Sequence, residues 1–401
     1  MPHSSPYLTA NPRERRREEK MVIVGREGGE VGEELESHRE RLRRVFDFHL
    51  QNIGDTFQMV NQAPGPSFSD RVGWEEVVKM GDRVSRQATV VGMLWVERIP
   101  DAKEIEASMT SYFNELQGFL LAYHGTMVGA GPTLLSTMQE SVKRVVDSSF
   151  RLMNDSVQSC GRSDGKAKEL SVFVGTVWEA CSSLKKTPAT NITAIGRALT
   201  QIAVTMKDVL REMKELKPAC LDQANETSDG NSTGHEAEVH DEDDNENEGD
   251  DIGNDLSPEE MAVAKAAIDV VSEMLLVIKE LIRSITGFIK TENSSRDGEF
   301  LMSLEKLLKL CREIGLQIDE LGACLYPPQE VPAILAASGK MSSATHDLEI
   351  ELGRIEGTST DFLDHCGHLR SKLKVLEYTL GCCQVEQQLQ NVSLSGPQSG
   401  H

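Results

Sequence analysis

An acidic segment in the middle of the chain sets the main limit on how this sequence can fold. Between Pro218 and Ala264 there are sixteen Asp and Glu residues and no Lys or Arg. The run NETSDGNSTGHEAEVHDEDDNENEGDDIGND has almost no apolar side chains, so it cannot bury enough surface to offset the entropy lost on ordering. We therefore predict an acidic disordered linker over residues 219–256, with a folded part on each side.

The same segment accounts for most of the net charge. It supplies −16 of the formal −22, which leaves −6 for the rest of the chain. A nearly balanced surface offers no phosphate-binding face, so we expect no direct nucleic-acid binding. No uncharged apolar run reaches the roughly 18 residues that cross a bilayer, and the N-terminus lacks the apolar stretch of a secretory signal. We therefore expect no membrane association.

Apolar periodicity on both sides of the linker predicts helices. Aromatic residues make up only 5% of the chain, which argues against the aromatic and β-branched strands of a sandwich. Apolar residues recur every three or four positions on both sides, as they do on the buried face of an amphipathic helix. We predict about ten helices and no convincing strand. The fold class is therefore all-α, with two antiparallel helical bundles joined by the acidic linker.

Breaks in this pattern set the predicted domain boundaries. The predicted parts are a disordered tail, an N-terminal bundle, a C-terminal bundle and a second disordered tail, at residues 1–33, 34–218, 257–391 and 392–401. The sixth helix, whose apolar stripe runs from Ile195 to Leu216, falls in the N-terminal bundle. The start of the second bundle is the clearest boundary: Ser257 suits an N-cap, Pro258 the first helical position, and Glu260 completes a capping box.

A short basic cluster lies in the predicted N-terminal tail. It contains Arg13, Arg15, Arg16 and Arg17, with glutamates interleaved. Such a cluster is either a weak nuclear-import signal or part of a solvated charged tail.

No motif in the sequence points to catalysis. The glycines of residues 25–32 fit neither a dinucleotide-binding fingerprint nor a phosphate loop, and a calcium loop starting at Asp241 lacks the required Gly and Glu. His235 and His240 within the acidic run could attract a metal ion only loosely. There is no G-x-S-x-G and no H-E-x-x-H. We therefore predict a protein that is not an enzyme, with no catalytic residue, no cofactor and no metal site.

The cysteines and clustered histidines have structural interpretations. The eight cysteines include no C-x-x-C pair, which favours reduced, mostly buried thiols of an intracellular protein. The adjacent Cys382 and Cys383 fit packing better than redox chemistry. His365, Cys366 and His368 are neighbours on the last helix, but we interpret their spacing as giving no common face. No fourth ligand is apparent.

The three tryptophans are assigned to the core. Trp74, Trp95 and Trp178 occupy helix positions that suit burial, and we prefer this interpretation to stacking on a ligand.

Two sites in or beside the linker match the Ser/Thr-x-x-acidic pattern of acid-directed kinases. They are Thr233, with Glu236 three residues later, and Ser257, with Glu260 three residues later. Ser257 also precedes a proline. Phosphorylation of Thr233 and Ser257 is one interpretation; the other is that such short matches arise by chance in acidic segments and that Ser257 is simply a helix cap.

The order of features resembles the cyclin-D-binding protein family over about residues 40–390. The residues that carry the likeness are Trp74-Glu75, Val84-Ser85-Arg86-Gln87-Ala88-Thr89, Val177-Trp178-Glu179-Ala180-Cys181, the helix Lys207–Leu216 and Leu325-Tyr326-Pro327-Pro328. The resemblance implies an all-α protein related to talin-like and vinculin-like bundles. It also implies cyclin D and helix-loop-helix partners and a negative role in cell-cycle progression. Members of the family are described as helix-loop-helix proteins that lack a basic DNA-contacting region.

Two functions are therefore in competition. The first is a nuclear and cytoplasmic adaptor that docks an amphipathic helix or a bundle face on a cyclin-type or helix-loop-helix-type partner, with a homodimer also allowed. The second is a talin-like cytoskeletal or adhesion-associated bundle protein, which rests on fold analogy alone. The sequence leaves the partner-binding residues unknown.

Overall fold

The computed structural model describes residues 12–60, 72–161, 166–218, 255–290, 298–355 and 360–394. These residues form ten α-helices, one 3-10 turn and one pair of two-residue strands. The helices are α1 (Pro12–Val60), α2 (Trp74–Glu97), α3 (Ala102–Thr126), α4 (Pro132–Gln158), α5 (Lys166–Ser183), α6 (Asn191–Lys214), α7 (Pro258–Lys290), α8 (Gly298–Ala323), α9 (Val331–Gly353) and α10 (Thr360–Leu394). The predicted all-α class is confirmed.

The described residues contain one departure from a purely helical chain. Strand β1 (Lys217–Pro218) pairs in parallel with β2 (Asp255–Leu256). The sequence analysis had found no strand and had placed Leu256 in the linker. The Leu256 side chain is fully buried, and this burial holds the residue before the helix cap against the core.

Several predicted boundaries fall differently or cannot be compared. Residues 219–254 of the predicted linker lie outside the described residues, as do residues 1–11 and 395–401 of the predicted tails. Helix α1 begins at Pro12, not near residue 34, and α10 extends to Leu394. The α1 difference has a reason in the sequence, since proline suits the first helical turn and the Arg-rich and Glu-rich residues after it are strong helix formers.

The helices divide into two units, Met1–Asn191 and Ile192–His401. Helix α6 therefore belongs with α7–α10, which corrects its assignment to an N-terminal bundle ending at residue 218. The apolar stripe of α6 is buried in the core of the second unit. A side chain of α6 also lies against the backbone of α8, since a Cβ added at Gly322 would lie 2.8 Å from the Cγ1 atom of Val209.

In the first unit, α3 packs against α1 and α2 and carries most of the buried aromatic side chains. Tyr112, Phe113, Phe119 and Tyr123 are all buried. The Tyr112 hydroxyl donates a hydrogen bond to Ser149 Oγ of α4 at 2.8 Å, which satisfies its polar end inside the core. The start of α3 is fixed by a capping box between Asp101 and Glu104.

In the second unit, α7 packs mainly against α10, and α8 packs against α9. Helix α7 presents the wide buried stripe expected of a central helix, including Val270, Met274 and Ile278. No helix in the described part of the chain has a stretch apolar enough, over a membrane's thickness, to span a bilayer.

Candidate partner-binding surface

Helices α2 and α5 lie side by side in the first unit, where small residues allow close contact. A Cβ added at Gly81 would lie 2.5 Å from Leu184, and one added at Gly92 would lie 3.0 Å from Val174. The two helices are therefore antiparallel, because Gly81 faces Leu184 while Gly92, later in α2, faces Val174, which comes earlier in the chain than Leu184. Trp74, at the start of α2, donates its indole N–H to the carbonyl of Leu184 at 2.9 Å and ties the two elements together.

Trp178 lies on the outer side of this helix pair. Its side chain is 47% exposed, whereas Trp74 and Trp95 are buried as predicted. The indole N–H of Trp178 reaches the carbonyl of Ser85 at 3.3 Å and Thr89 Oγ1 at 3.1 Å. The core assignment of Trp178 was therefore wrong. The buried face of α5 is already occupied by its neighbours Val174, Val177 and Cys181, and Trp178 lies on the flank that faces α2.

The contact of Trp178 with α2 joins two segments that carry the family likeness. Ser85 and Thr89 lie in the stretch 84–89, and Trp178 lies in the stretch 177–181. These segments are far apart in the sequence, and the fold makes them one surface.

Beside Trp178, α2 exposes three apolar side chains in helical register. Val90, Met93 and Val96 are spaced by three residues and are 47%, 67% and 73% exposed. Since Met93 and Val96 lie four and seven residues after Thr89, they share the helix face that borders Trp178. We call the group Thr89, Val90, Met93, Val96 and Trp178 the Trp178 surface. Exposed apolar residues grouped around a tryptophan are typical of protein-binding sites.

The charges around the Trp178 surface are mixed, since Glu179 is exposed next to Trp178 and two of the neighbouring cations are paired with acidic residues. Arg86 is exposed one turn before Val90, and Arg83 is held by Glu115 of α3 at 2.8 Å. Lys185, after the end of α5, pairs with Asp82 at 3.2 Å. The exposed apolar side chains, and not a net charge, are therefore what this surface offers to a partner.

The structure describes only one of the two predicted phosphorylation sites. Thr233 lies outside the described residues. Ser257 is the half-buried N-cap of α7: its Oγ accepts the N–H of Glu260 at 3.1 Å, and the Glu260 carboxylate accepts the N–H of Ser257 at 3.0 Å. The predicted capping box is confirmed. Phosphorylation of either residue stays a prediction.

The structure brings together two histidines that the sequence analysis had separated. His365 and His368 of α10 both face Glu273 of α7, a residue that had not been singled out. His365 Nδ1 is 2.7 Å from Glu273 Oε1, and His368 Nδ1 is 3.8 Å from the same oxygen. Positions i and i+3 do share a helix face; only Cys366, which is fully buried, points away.

Most of the described cysteines are buried, as predicted. Cys160, Cys181, Cys311, Cys324 and Cys366 are free and buried, and only Cys382 among those described is exposed. Burial raises the pKa of Cys181 and of Cys366 to about 12. These thiols stay protonated at neutral pH, which makes them poor nucleophiles and poor metal ligands.

A cavity of about 320 Å³ lies in the first unit where the start of α3 meets α1. Three charged residues of its lining form an ion pair and a helix cap. Arg41 pairs with Glu106 at 2.9 Å, and Asp101 caps α3 through the N–H of Glu104. Burial also raises the pKa of Cys160, which lines the cavity. The geometry here explains stability and does not indicate a reaction.

Comparisons with known proteins match both halves of the chain to one family. Residues 76–219 match the N-terminal model of a family described as Grap2 and cyclin-D-interacting, and residues 240–349 match its C-terminal model. Cyclin-D1-binding protein 1 homolog of Xenopus laevis is 21% identical over 280 residues, which cover 70% of this chain and 79% of that protein. Cyclin-D1-binding protein 1 of Homo sapiens is 22% identical over 283 residues, with 69% and 74% covered. The whole Trp178 surface lies within the N-terminal match.

Proposed function

Because the chain belongs to the Grap2 and cyclin-D-interacting family, we propose that it is a non-enzymatic helical adaptor that binds a D-type cyclin and so regulates cell-cycle progression. The observation that carries the proposal is the Trp178 surface, an apolar and half-exposed patch built from the family-matched part of the chain. The names of the relatives support cyclin D as the partner class.

Docking on the Trp178 surface would follow the helix-in-groove mode. A partner helix that lays an apolar ridge across α2 and α5 would cover Met93, Val96 and Trp178 and exclude water from them. Tryptophan is enriched among residues whose truncation costs 2 kcal/mol or more at interfaces. A loss of about 2 kcal/mol corresponds to an affinity about thirty-fold weaker.

The test is direct binding of the purified full chain to a purified D-type cyclin, measured by titration. Met93→Glu places a charge in the patch, and Trp178→Ala removes its largest side chain. The matched control is Met302→Glu on α8, because Met302 is a helix methionine with the same 67% exposure but lies in the other unit. Far-UV circular dichroism checks that each variant keeps its helices.

The expected result is an affinity at least about tenfold weaker for Met93→Glu and Trp178→Ala, with Met302→Glu equal to the parent. If the parent does not bind the cyclin, the proposed partner is wrong. If all three variants bind like the parent, the partner stands and the Trp178 surface is the wrong site.

The further parts of the proposal need separate tests. We propose helix-loop-helix regulators as a second partner class and a distribution between nucleus and cytoplasm, both supported only by the resemblance. Co-purification with a helix-loop-helix protein, cell fractionation and the rate of S-phase entry test these points. Light scattering of the purified chain tests for a homodimer. Co-sedimentation with filamentous actin without cyclin binding would instead favour a cytoskeletal role.

A further inference from the structure

We propose that Glu273, His365 and His368 form a zinc-binding site that joins α7 to α10 in the second unit. The three side chains offer one carboxylate oxygen and two imidazole nitrogens, all within 4.8 Å of one another. The site is far in sequence from the Trp178 surface and does not depend on the proposed cyclin binding.

The distances suit a tetrahedral ion. Zinc binds imidazole nitrogen and carboxylate oxygen at about 2.0–2.1 Å, which places neighbouring ligand atoms about 3.3 Å apart in a tetrahedron. The two distances to Glu273 Oε1 are 2.7 Å from His365 Nδ1 and 3.8 Å from His368 Nδ1. One is shorter and the other longer than the required value, and the two histidine nitrogens lie within 4.8 Å of each other, so side-chain rotations are needed to close the three atoms around an ion.

A second contact joins the two helices that carry the ligands. One turn away, Lys372 of α10 pairs with Asp269 of α7 at 2.8 Å. Glu273 lies four residues after Asp269, and His368 lies four residues before Lys372, as expected for antiparallel neighbours. Two carboxylates and one ammonium give this patch a net negative charge when the imidazoles are neutral, which favours a cation.

The exposure of the three ligands leaves room for a fourth. The Glu273 side chain is 15% exposed and that of His365 28%, whereas that of His368 is 71% exposed. The outer side is therefore open to a water molecule or to a ligand from a partner. Two imidazoles and one carboxylate select zinc over calcium and magnesium, which prefer oxygen ligands. Binding requires neutral imidazoles, so affinity should fall at acid pH.

The test uses the full chain, freed of metal with a chelator and titrated with Zn²⁺ in competition with a chromophoric chelator. The ligand variants are His368→Ala and Glu273→Gln. His346→Ala is the matched control, because His346 is an exposed histidine of α9 in the same unit. The double variant His235→Ala with His240→Ala controls for metal attraction by the acidic run.

The expected result is one bound zinc ion per chain and a higher melting temperature on zinc addition, both unchanged in His346→Ala and in the double variant. His368→Ala and Glu273→Gln should each weaken binding by at least about tenfold. Substitution with Co²⁺ should give the visible absorption of a four-coordinate ion in the parent only. The proposal fails if His368→Ala binds zinc like the parent, or if the double variant loses the binding. In either case the His365–Glu273 contact is an interhelical hydrogen bond and nothing more.

Discussion

The placement of α6 against α8 can be tested with three glycines of the second unit. A Cβ added at Gly322 of α8 would meet the Cγ1 atom of Val209 on α6 at 2.8 Å, a distance that real Cβ contacts avoid. At Gly315, about two turns earlier on the same face of α8, the nearest atom belongs to Ile202 and lies at 3.6 Å, which is an ordinary contact. At Gly339 of α9 nothing lies within 4 Å.

The magnitudes follow from two opposing effects. Replacing glycine by alanine inside a helix stabilises it by about 0.5–1 kcal/mol. Gly339→Ala and Gly315→Ala should show this gain. At Gly322 the added methyl overpacks the α6–α8 contact, which typically costs about 1–3 kcal/mol. The branched side chain of Val209 is stiff and cannot rotate away cheaply. Gly322→Ala should therefore be less stable than the parent by about 1 kcal/mol, and less stable than Gly339→Ala by about 2 kcal/mol.

The measurement is denaturant unfolding of the full chain, followed by two signals. All three tryptophans lie in the first unit, so their fluorescence follows that unit, while far-UV circular dichroism follows the helices of both. Gly322→Ala should lower the denaturation midpoint of the second unit. Circular dichroism detects that transition, and tryptophan fluorescence does not. The reasoning is refuted if Gly322→Ala is as stable as Gly339→Ala, because then α6 does not approach α8 at this point.

Three further predictions concern single side chains. Ser257→Ala should cost about 1 kcal/mol by thermal denaturation because α7 loses its N-cap acceptor, whereas Ser257→Asp should keep the cap; equal partner capture by both variants would exclude a phosphorylation switch. Tyr112→Phe should cost about 1 kcal/mol, since it removes the buried hydrogen bond to Ser149. Burial acts to raise the pKa of Glu351, but hydrogen bonds from Lys306 and Ser303 outweigh it and hold that pKa below its ordinary value of 4.5. The stability from this carboxylate is therefore present above the ordinary pKa and lost as pH falls below it, and Glu351→Gln should flatten the acid side of the stability profile.

Local signals in the sequence predicted local structure well. The Ser257–Glu260 capping box is formed by groups three residues apart, so the sequence contains everything that determines it. Leu256 shows the limit of this approach, because one apolar residue at the end of a polar run carries no periodicity, and its burial depends on a core made elsewhere.

Tertiary assignments were harder, because an apolar stripe shows that a face is buried and not what covers it. The stripe of α6 from Ile195 to Leu210 fits a bundle on either side of the linker equally well. Trp178 posed a similar problem. Its helix has three apolar neighbours on the inner face, and only the closeness of α2 determines that the indole lies at the rim.

The ligands of the proposed zinc site follow only from the local spacing in the sequence and the tertiary packing of the fold taken together. The sequence alone places His365 and His368 three residues apart, close enough to share a face, and their common face was overlooked because Cys366 was treated as part of the set. The third ligand could not be found in the same way, since Glu273 lies on a helix that meets α10 only in the fold. The buried apolar stripes of α7 and α10 set the packing of the two helices, and the exposed Asp269–Lys372 pair lies one turn from the ligands in the same register. Asp269→Asn removes a negative charge one turn from the ligands without removing a ligand, so it should weaken zinc binding less than loss of a ligand does, but more than His346→Ala.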